Sequence, residues 1–226
     1  MWYSESNMQK SKLTHPVLIT LYGLPGSGKT FFARQASDLL GIPHISSDRI
    51  RFELFEKPTL SKEENAVVFN MMVMMLEEYA KASMPVVFDV SLSRAIDRKN
   101  MRELARKLGM ESLLVWIQTD QDTAHARTRS RDRRKADDKY ATELTREQFD
   151  MLGSLMQQPT HEDFVVVSGK HLFDSQKNVL LRKFREMQLM SEQATSEAGV
   201  AKPELVNLVS SAKGRVDQTR RNVIIN

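Results

Sequence analysis

The eight residues Gly23-Leu24-Pro25-Gly26-Ser27-Gly28-Lys29-Thr30 restrict what this chain can become more than any other stretch. They satisfy G-x-x-x-x-G-K-[ST] and lie where the mechanics of that pattern require. Before them runs Val17-Leu18-Ile19-Thr20-Leu21-Tyr22, a short apolar, β-branched stretch that reads as a buried strand. After them, Lys29 to Leu40 reads as a helix. A glycine-rich turn between strand and helix lets successive backbone N–H groups face inward as an anion nest, and the helix N-terminus adds its positive dipole end. Lys29 supplies a point charge for the β- and γ-phosphates and Thr30 a hydroxyl for Mg²⁺. A nucleoside triphosphate site formed by Gly23, Pro25, Gly26, Ser27, Gly28, Lys29 and Thr30 is therefore expected. The plainer reading, a glycine-rich turn with an incidental lysine, loses to the flanking strand and helix.

Four further strand-like runs follow, at Pro43 to Ser46, Val86 to Val90, Leu113 to Ile117 and Phe164 to Val167. Helical sequence separates them: Ser61 to Ala82, Arg94 to Leu108, Thr123 to about Lys135, and Arg146 to Met156, with a last helix at Ser175 to Ser191. Parallel neighbours need crossovers, and the helices supply them. The expectation is an α/β, P-loop NTPase fold with a five-stranded, mostly parallel sheet and flanking helices. Residues 1–15 read as a loose lead-in, 16–192 as the domain, and 193–226, where apolar periodicity fades around Arg215, Arg220 and Arg221, as a flexible basic tail. With 226 residues the chain is long enough for a full core, and no internal repeat is visible.

A phosphate grip does not name a reaction, so the acids and cations around the γ-phosphate matter next. Asp48 in Ser46-Ser47-Asp48-Arg49-Ile50-Arg51 follows the second strand, at the end where a parallel sheet presents its site. A carboxylate there suits a general base, and Arg51 three residues on suits an anionic group of the acceptor. Asp48 also fits a helix N-cap, a role compatible with the first. Val86-Val87-Phe88-Asp89 has the form of a Walker B strand, whose acid holds magnesium near Thr30. The stretch from His125 to Lys139 is rich in arginine. Arg127 and Arg131, four apart, would share one helix face and close over a polyphosphate as a lid spanning about 125–145. Arg133, Arg134 and Lys135 read better as a solvated basic face.

Together these residues resemble the P-loop kinases of the polynucleotide-kinase and zeta-toxin type, ATP-binding kinases, over roughly Leu18 to Phe184. The matching features are the G-x-P-G-S-G-K-T loop, the D-x-x-R pair Asp48 and Arg51, the strand ending in D-x-[ST] at Asp89 and Ser91, the D-R pair Asp97 and Arg98, and the R-x-x-x-R of Arg127 and Arg131. The resemblance implies Asp48 as general base, Arg51, Asp89 and Ser91 near the acceptor, Thr30 and Asp89 near Mg²⁺, and Lys29, Arg127 and Arg131 stabilising the transferring phosphoryl. Ser91 stands where the family carries threonine or asparagine, and no phosphatase or ligase partner domain is recognisable.

The reading that follows is an ATP-dependent kinase acting on a hydroxyl acceptor, small-molecule or unknown, with ATP and Mg²⁺ as its cofactors. Alternatives are a polynucleotide 5′-hydroxyl kinase, which leaves nucleic acid open as a partner, and a nucleotide-binding NTPase or regulatory protein without kinase activity. A GTPase would need a guanine-reading N-K-x-D, which is missing, and an AAA-type motor a larger helical domain after the sheet. Phe52 and Phe55 would serve to stack bases, yet an apolar pair three apart on a helix is more often core. The absence of cysteine removes disulfides, thiolate metal sites and cysteine nucleophiles. Thirty-three Lys and Arg against 29 Asp and Glu, a formal charge of +4, fit a polyanionic ligand without demanding one. Met71, Met72, Met74 and Met75 read as a flexible core-packing face, and the five histidines show no ligand spacing. No apolar run approaches membrane-spanning length, so no membrane partner and a cytoplasmic location are expected; the oligomeric state is open.

Overall fold

The structure is a computed structural model, described here for residues 13–132, 139–141, 144–160 and 162–190. Five strands alternate with helices in the order β1 (Val17–Tyr22), α1 (Lys29–Leu40), β2 (His44–Ser46), α2 (Ser47–Leu54), α3 (Lys62–Lys81), β3 (Val86–Asp89), α4 (Ala95–Lys107) and β4 (Glu111–Gln118). Then come α5 (Gln121–Arg129), α6 (Arg146–Ser154), β5 (Phe164–Ser168) and α7 (Phe173–Glu186). The strands pair in the order β2-β3-β1-β4-β5, and every pairing is parallel. The P-loop fold expected from sequence is thus present, with a sheet wholly rather than mostly parallel.

Strand β1 is at the centre because all six of its residues are buried and so need cover on both faces. Its alternation divides the core. Val17, Ile19 and Leu21 meet Phe32, Ala33, Ala36 and Leu40 of α1 and Leu180, Leu181 and Phe184 of α7. Leu18, on the other face, joins Val86 and Phe88 of β3, Val68, Met72 and Leu76 of α3, and Met101 and Ala105 of α4. Each fully buried aliphatic side chain contributes roughly 1.5–3 kcal/mol. With all strands parallel, the C-terminal ends of β1, β2 and β3 gather on one rim, which brings Gly23, Ser47 and Asp89 into one neighbourhood.

Several expectations change. The helix that Asp48 was expected to cap begins earlier: Ser46 caps α2, its side chain accepting from the Arg49 N–H at 3.4 Å, so Asp48 belongs to the first turn and is not the cap. Helix α5 ends at Arg129, capped by Ser130, instead of running to about Lys135. Arg131 therefore follows the helix and does not share a helical face with Arg127. Leu13 is buried and the Thr14 N–H donates to Leu189 O at 2.9 Å, so this end of the expected loose lead-in is tied to the chain after α7. Met72 is buried and Met75 packs against the core, as expected, but Met71 and Met74 are exposed. Residues 1–12, Arg133 to Asp138 of the basic stretch and the tail 193–226 lie outside the described residues.

Candidate active site

The loop after β1 has the backbone its sequence calls for. Gly26 takes φ +77°, and a Cβ there would meet Ala124 O at 2.2 Å. Gly28 takes φ +103° and opens α1, and the space beside it is clear out to Arg127 Nη1 at 4.0 Å. One glycine thus permits close packing beneath the loop and the other keeps its mouth open. The Ser27 N–H donates to Leu24 O at 3.0 Å, and Thr119 Oγ1 donates to Ser27 O at 3.2 Å, fastening the turn to the end of β4. Lys29 Nζ donates to Gly23 O and Leu24 O, each at 2.9 Å. Burial lowers the Lys29 pKa, opposed by the charges of Asp89 and Asp48 and reinforced by Arg131.

Two carboxylates act electrostatically on Lys29. Asp48, half-buried in the first turn of α2, has its pKa raised by burial and then by the Asp89 charge; Arg51, Arg131 and Lys29 act in the other direction. Asp89 ends β3 and is 5% exposed, with Oδ2 lying 3.3 Å from His44 Nε2. Lys29, Asp48, Asp89 and Arg131 therefore lie within electrostatic reach of one another, although they come from α1, α2, β3 and the chain after α5. Residue spacing on a helix does not explain the place of Arg131, but tertiary packing still brings its charge to bear on Lys29 and Asp48.

Other expected site residues are committed elsewhere. Arg51 is 6% exposed; its Nη1 donates to Glu64 Oε1 at 2.6 Å and its Nη2 to Asn65 Oδ1 at 2.7 Å, which leaves only Nε without a partner. Both terminal amino groups thus clamp α2 to α3, in place of the open acceptor fork expected from the sequence. Burial would raise the Glu64 pKa, but the Arg51 hydrogen bond and donors from Thr59 and Leu60 bring it down to about 2. Ser91 is exposed, its Oγ 3.1 Å from Ser93 Oγ. Arg127 donates from Nη1 to Gly169 O at 2.8 Å, beside the loop that follows β5. Asp97 pairs with exposed Arg94, whereas Arg98 is buried against Glu162 at 2.7 Å and over the Tyr22 ring at 4.8 Å. Phe55 packs on the core, but Phe52 leaves it to meet Tyr140, ring centroids 6.1 Å apart. Phe52 follows Asp48 by one helical turn, so this aromatic pair borders the carboxylate.

His44 was not singled out from sequence. Strand parity held the signal, since residues 44 and 46 share a face and Ser46 pairs with Asp89.

The residues suit a magnesium-bound triphosphate. Ser27 Oγ is buried without a hydrogen-bond partner, inside the loop whose Gly26 and Gly28 take positive φ. Thr30 and Asp89 offer the hard oxygen donors Mg²⁺ takes. Among the described residues no group of three or more His, Asp and Glu is arranged to hold a metal by itself, and no helix is long and apolar enough to cross a membrane.

Fold and loop together define a P-loop nucleotide-binding domain on a five-stranded parallel sheet. The chain belongs to the AAA domain family, whose match spans residues 18–159, more than half its length. Among solved structures it is similar to a gluconokinase from Sinorhizobium meliloti 1021, with 17% identity, a TM-score of 0.55, and 77% of this chain and 97% of that one covered. The APS kinase CysC of Mycobacterium tuberculosis, solved with AMPPNP and APS, gives 19% identity and a TM-score of 0.57 over 76% and 98%. A sugar kinase from Janibacter sp. HTCC2649 gives 13% and 0.54 over 77% and 95%. At these identities the likeness is one of fold. No curated protein matches the chain in sequence.

Proposed function

We propose that this protein is an ATP-dependent kinase that transfers the γ-phosphoryl group to a hydroxyl of a small-molecule acceptor. The observation that carries this reading is Asp48: a carboxylate of raised pKa, within electrostatic reach of the P-loop lysine and placed by α2 at the strand-end rim. A nucleotide-binding loop alone serves many activities; a carboxylate within electrostatic reach of its lysine suits a base for hydroxyl attack. The kinase-type motif pattern around Asp48, Asp89 and Arg131, and a fold shared with kinases of small molecules, support the same reading.

The loop amides and the α1 N-terminus would hold the phosphates, with Lys29 exchanging the carbonyls of Gly23 and Leu24 for phosphate oxygens. Mg²⁺, carried by the nucleotide and bordered by Thr30 and Asp89, would supply neutralisation of phosphate charge. Asp48 accepts the acceptor's hydroxyl proton as that oxygen bonds to the γ-phosphorus and the bond to the β–γ bridging oxygen breaks, releasing ADP. Arg131 stabilises the charge that develops, and Arg127, at the rim beside Gly28, acts more peripherally. The chain from about 125 to 145 then serves as the lid of a domain spanning 16–192.

Incubation with γ-labelled ATP against pooled metabolites and 5′-hydroxyl oligonucleotides tests this directly. Label on a metabolite is the expected result. Label on the oligonucleotides would replace the small acceptor with a polynucleotide, and ADP release without any labelled acceptor would leave only an NTPase.

A further inference from the structure

His44 has no part in the scheme above, yet it touches a carboxylate on which that scheme depends. In the β2–β3 register His44 lies opposite Val87 and Ser46 opposite Asp89. Alternate side chains of a strand share a face, so His44, Val87 and Asp89 point the same way. Val87 packs in the cluster that holds Phe32 and Ala33, which identifies that face as the one covered by α1. Helix α1 opens with Lys29 and Thr30. The histidine thus approaches Asp89 from lower on the neighbouring strand, on the side where the P-loop helix begins.

Asp89 is almost fully enclosed, and its negative charge bears on both Lys29 and Asp48. A carboxylate in that position must present one oxygen consistently to be of use, and a χ2 torsion to a planar group is broad unless something holds it. Among the described residues His44 Nε2 is its hydrogen-bond partner, at 3.3 Å from Oδ2. With Oδ2 held, Oδ1 is the oxygen left for a ligand. Edge strand β2 is only three residues long, and its N-terminal member is spent on this contact.

We propose that His44 is a positioning residue: its Nε2–H donates to Asp89 Oδ2 and sets the carboxylate to receive the magnesium of a bound nucleotide. This rests on the nucleotide site proposed above and extends it to a residue outside the loop. Partners that orient a metal-facing carboxylate typically change metal affinity by about 10–100-fold when removed.

The test is a Mg²⁺ titration of the binding of a fluorescent ATP analogue to the full chain and to His44→Ala, His44→Phe and His44→Gln, with affinity in EDTA and Tm measured alongside. The Mg²⁺ concentration at half-effect should rise on the order of 10-fold or more in His44→Ala and His44→Phe, with affinity in EDTA unchanged. His44→Gln, whose amide N–H reaches a similar point, should restore most of the loss. A purely structural histidine would lower Tm without moving the Mg²⁺ midpoint, and that result overturns the proposal. So does a glutamine variant no better than phenylalanine, the comparison that decides if His44→Ala fails to fold. Magnesium-dependent binding by the unaltered chain, unchanged in the variants, removes only the role of His44. No magnesium-dependent nucleotide binding in the unaltered chain removes the nucleotide reading as well.

Discussion

The two banks of the candidate site are built by different means. On the nucleotide side, β1, the loop and α1 form one uninterrupted stretch of chain, and the grip comes from backbone amides and glycine conformations. On the side of Asp48, α2, α3 and the chain after α5 meet through side chains: Arg51 with Glu64 and Asn65, Phe52 with Tyr140, and the charge of Arg131 toward Asp48. A local backbone device follows from a few consecutive residues, whereas a surface assembled from distant side chains can change its specificity without disturbing the grip. Under the proposed function, chemistry common to many phosphotransferases falls to the first bank and acceptor choice to the second.

The largest effect should come from the first bank. Lys29→Met should cut transfer on the order of 10³-fold, the upper range for losing a preorganised donor at the reacting group, as measured with labelled ATP. Asp48→Asn should bind nucleotide normally but lose transfer by on the order of 10²-fold or more. Near-normal turnover in that variant would take Asp48 out of the mechanism and blur the distinction between the banks. Since burial and Asp89 raise the Asp48 pKa, the acid limb of kcat/KM should lie above the ordinary carboxylate range and disappear in Asp48→Asn.

Smaller effects separate the two lid arginines. Arg131→Ala should reduce turnover roughly 10-fold and more than it reduces nucleotide affinity. Arg127→Ala, which removes a bond to the Gly169 carbonyl, should cost only about two- to three-fold. Equal losses would restore the shared-face lid that the end of α5 at Arg129 speaks against.

The least effect on chemistry is expected at the α2–α3 clamp, where stability is the readout. Glu64 is depressed from 4.5 to about 2 when folded, so its contribution is fully present above the unfolded pKa and is lost as pH falls toward 2. Between pH 5 and pH 3 the Tm of the unaltered chain should therefore fall through Glu64, where a glutamate of unshifted pKa would contribute no pH dependence, and Glu64→Gln should be less stable than the unaltered chain at pH 7 with the gap narrowing as pH falls from about 5 toward 2. A variant as stable as the parent at pH 7 would show that the clamp holds nothing together.

Much of the architecture could be read before any coordinates. Apolar runs at 17–22 and 86–88, each buried on both faces, had no stable home except a parallel sheet, and glycines at 26 and 28 with lysine at 29 specified a phosphate loop through conformations only their own backbone needs. Long-range side-chain partnerships were not legible. Arg51 looks like an open fork until Glu64, thirteen residues away, is seen to occupy it; Arg131 looks helical until α5 stops two residues earlier. His44 looks incidental until β2 settles in register beside Asp89. Periodicity and backbone chemistry are properties of neighbouring residues and survive in a linear string, whereas which buried charge faces which depends on how strands and helices pack, and only folding supplies that.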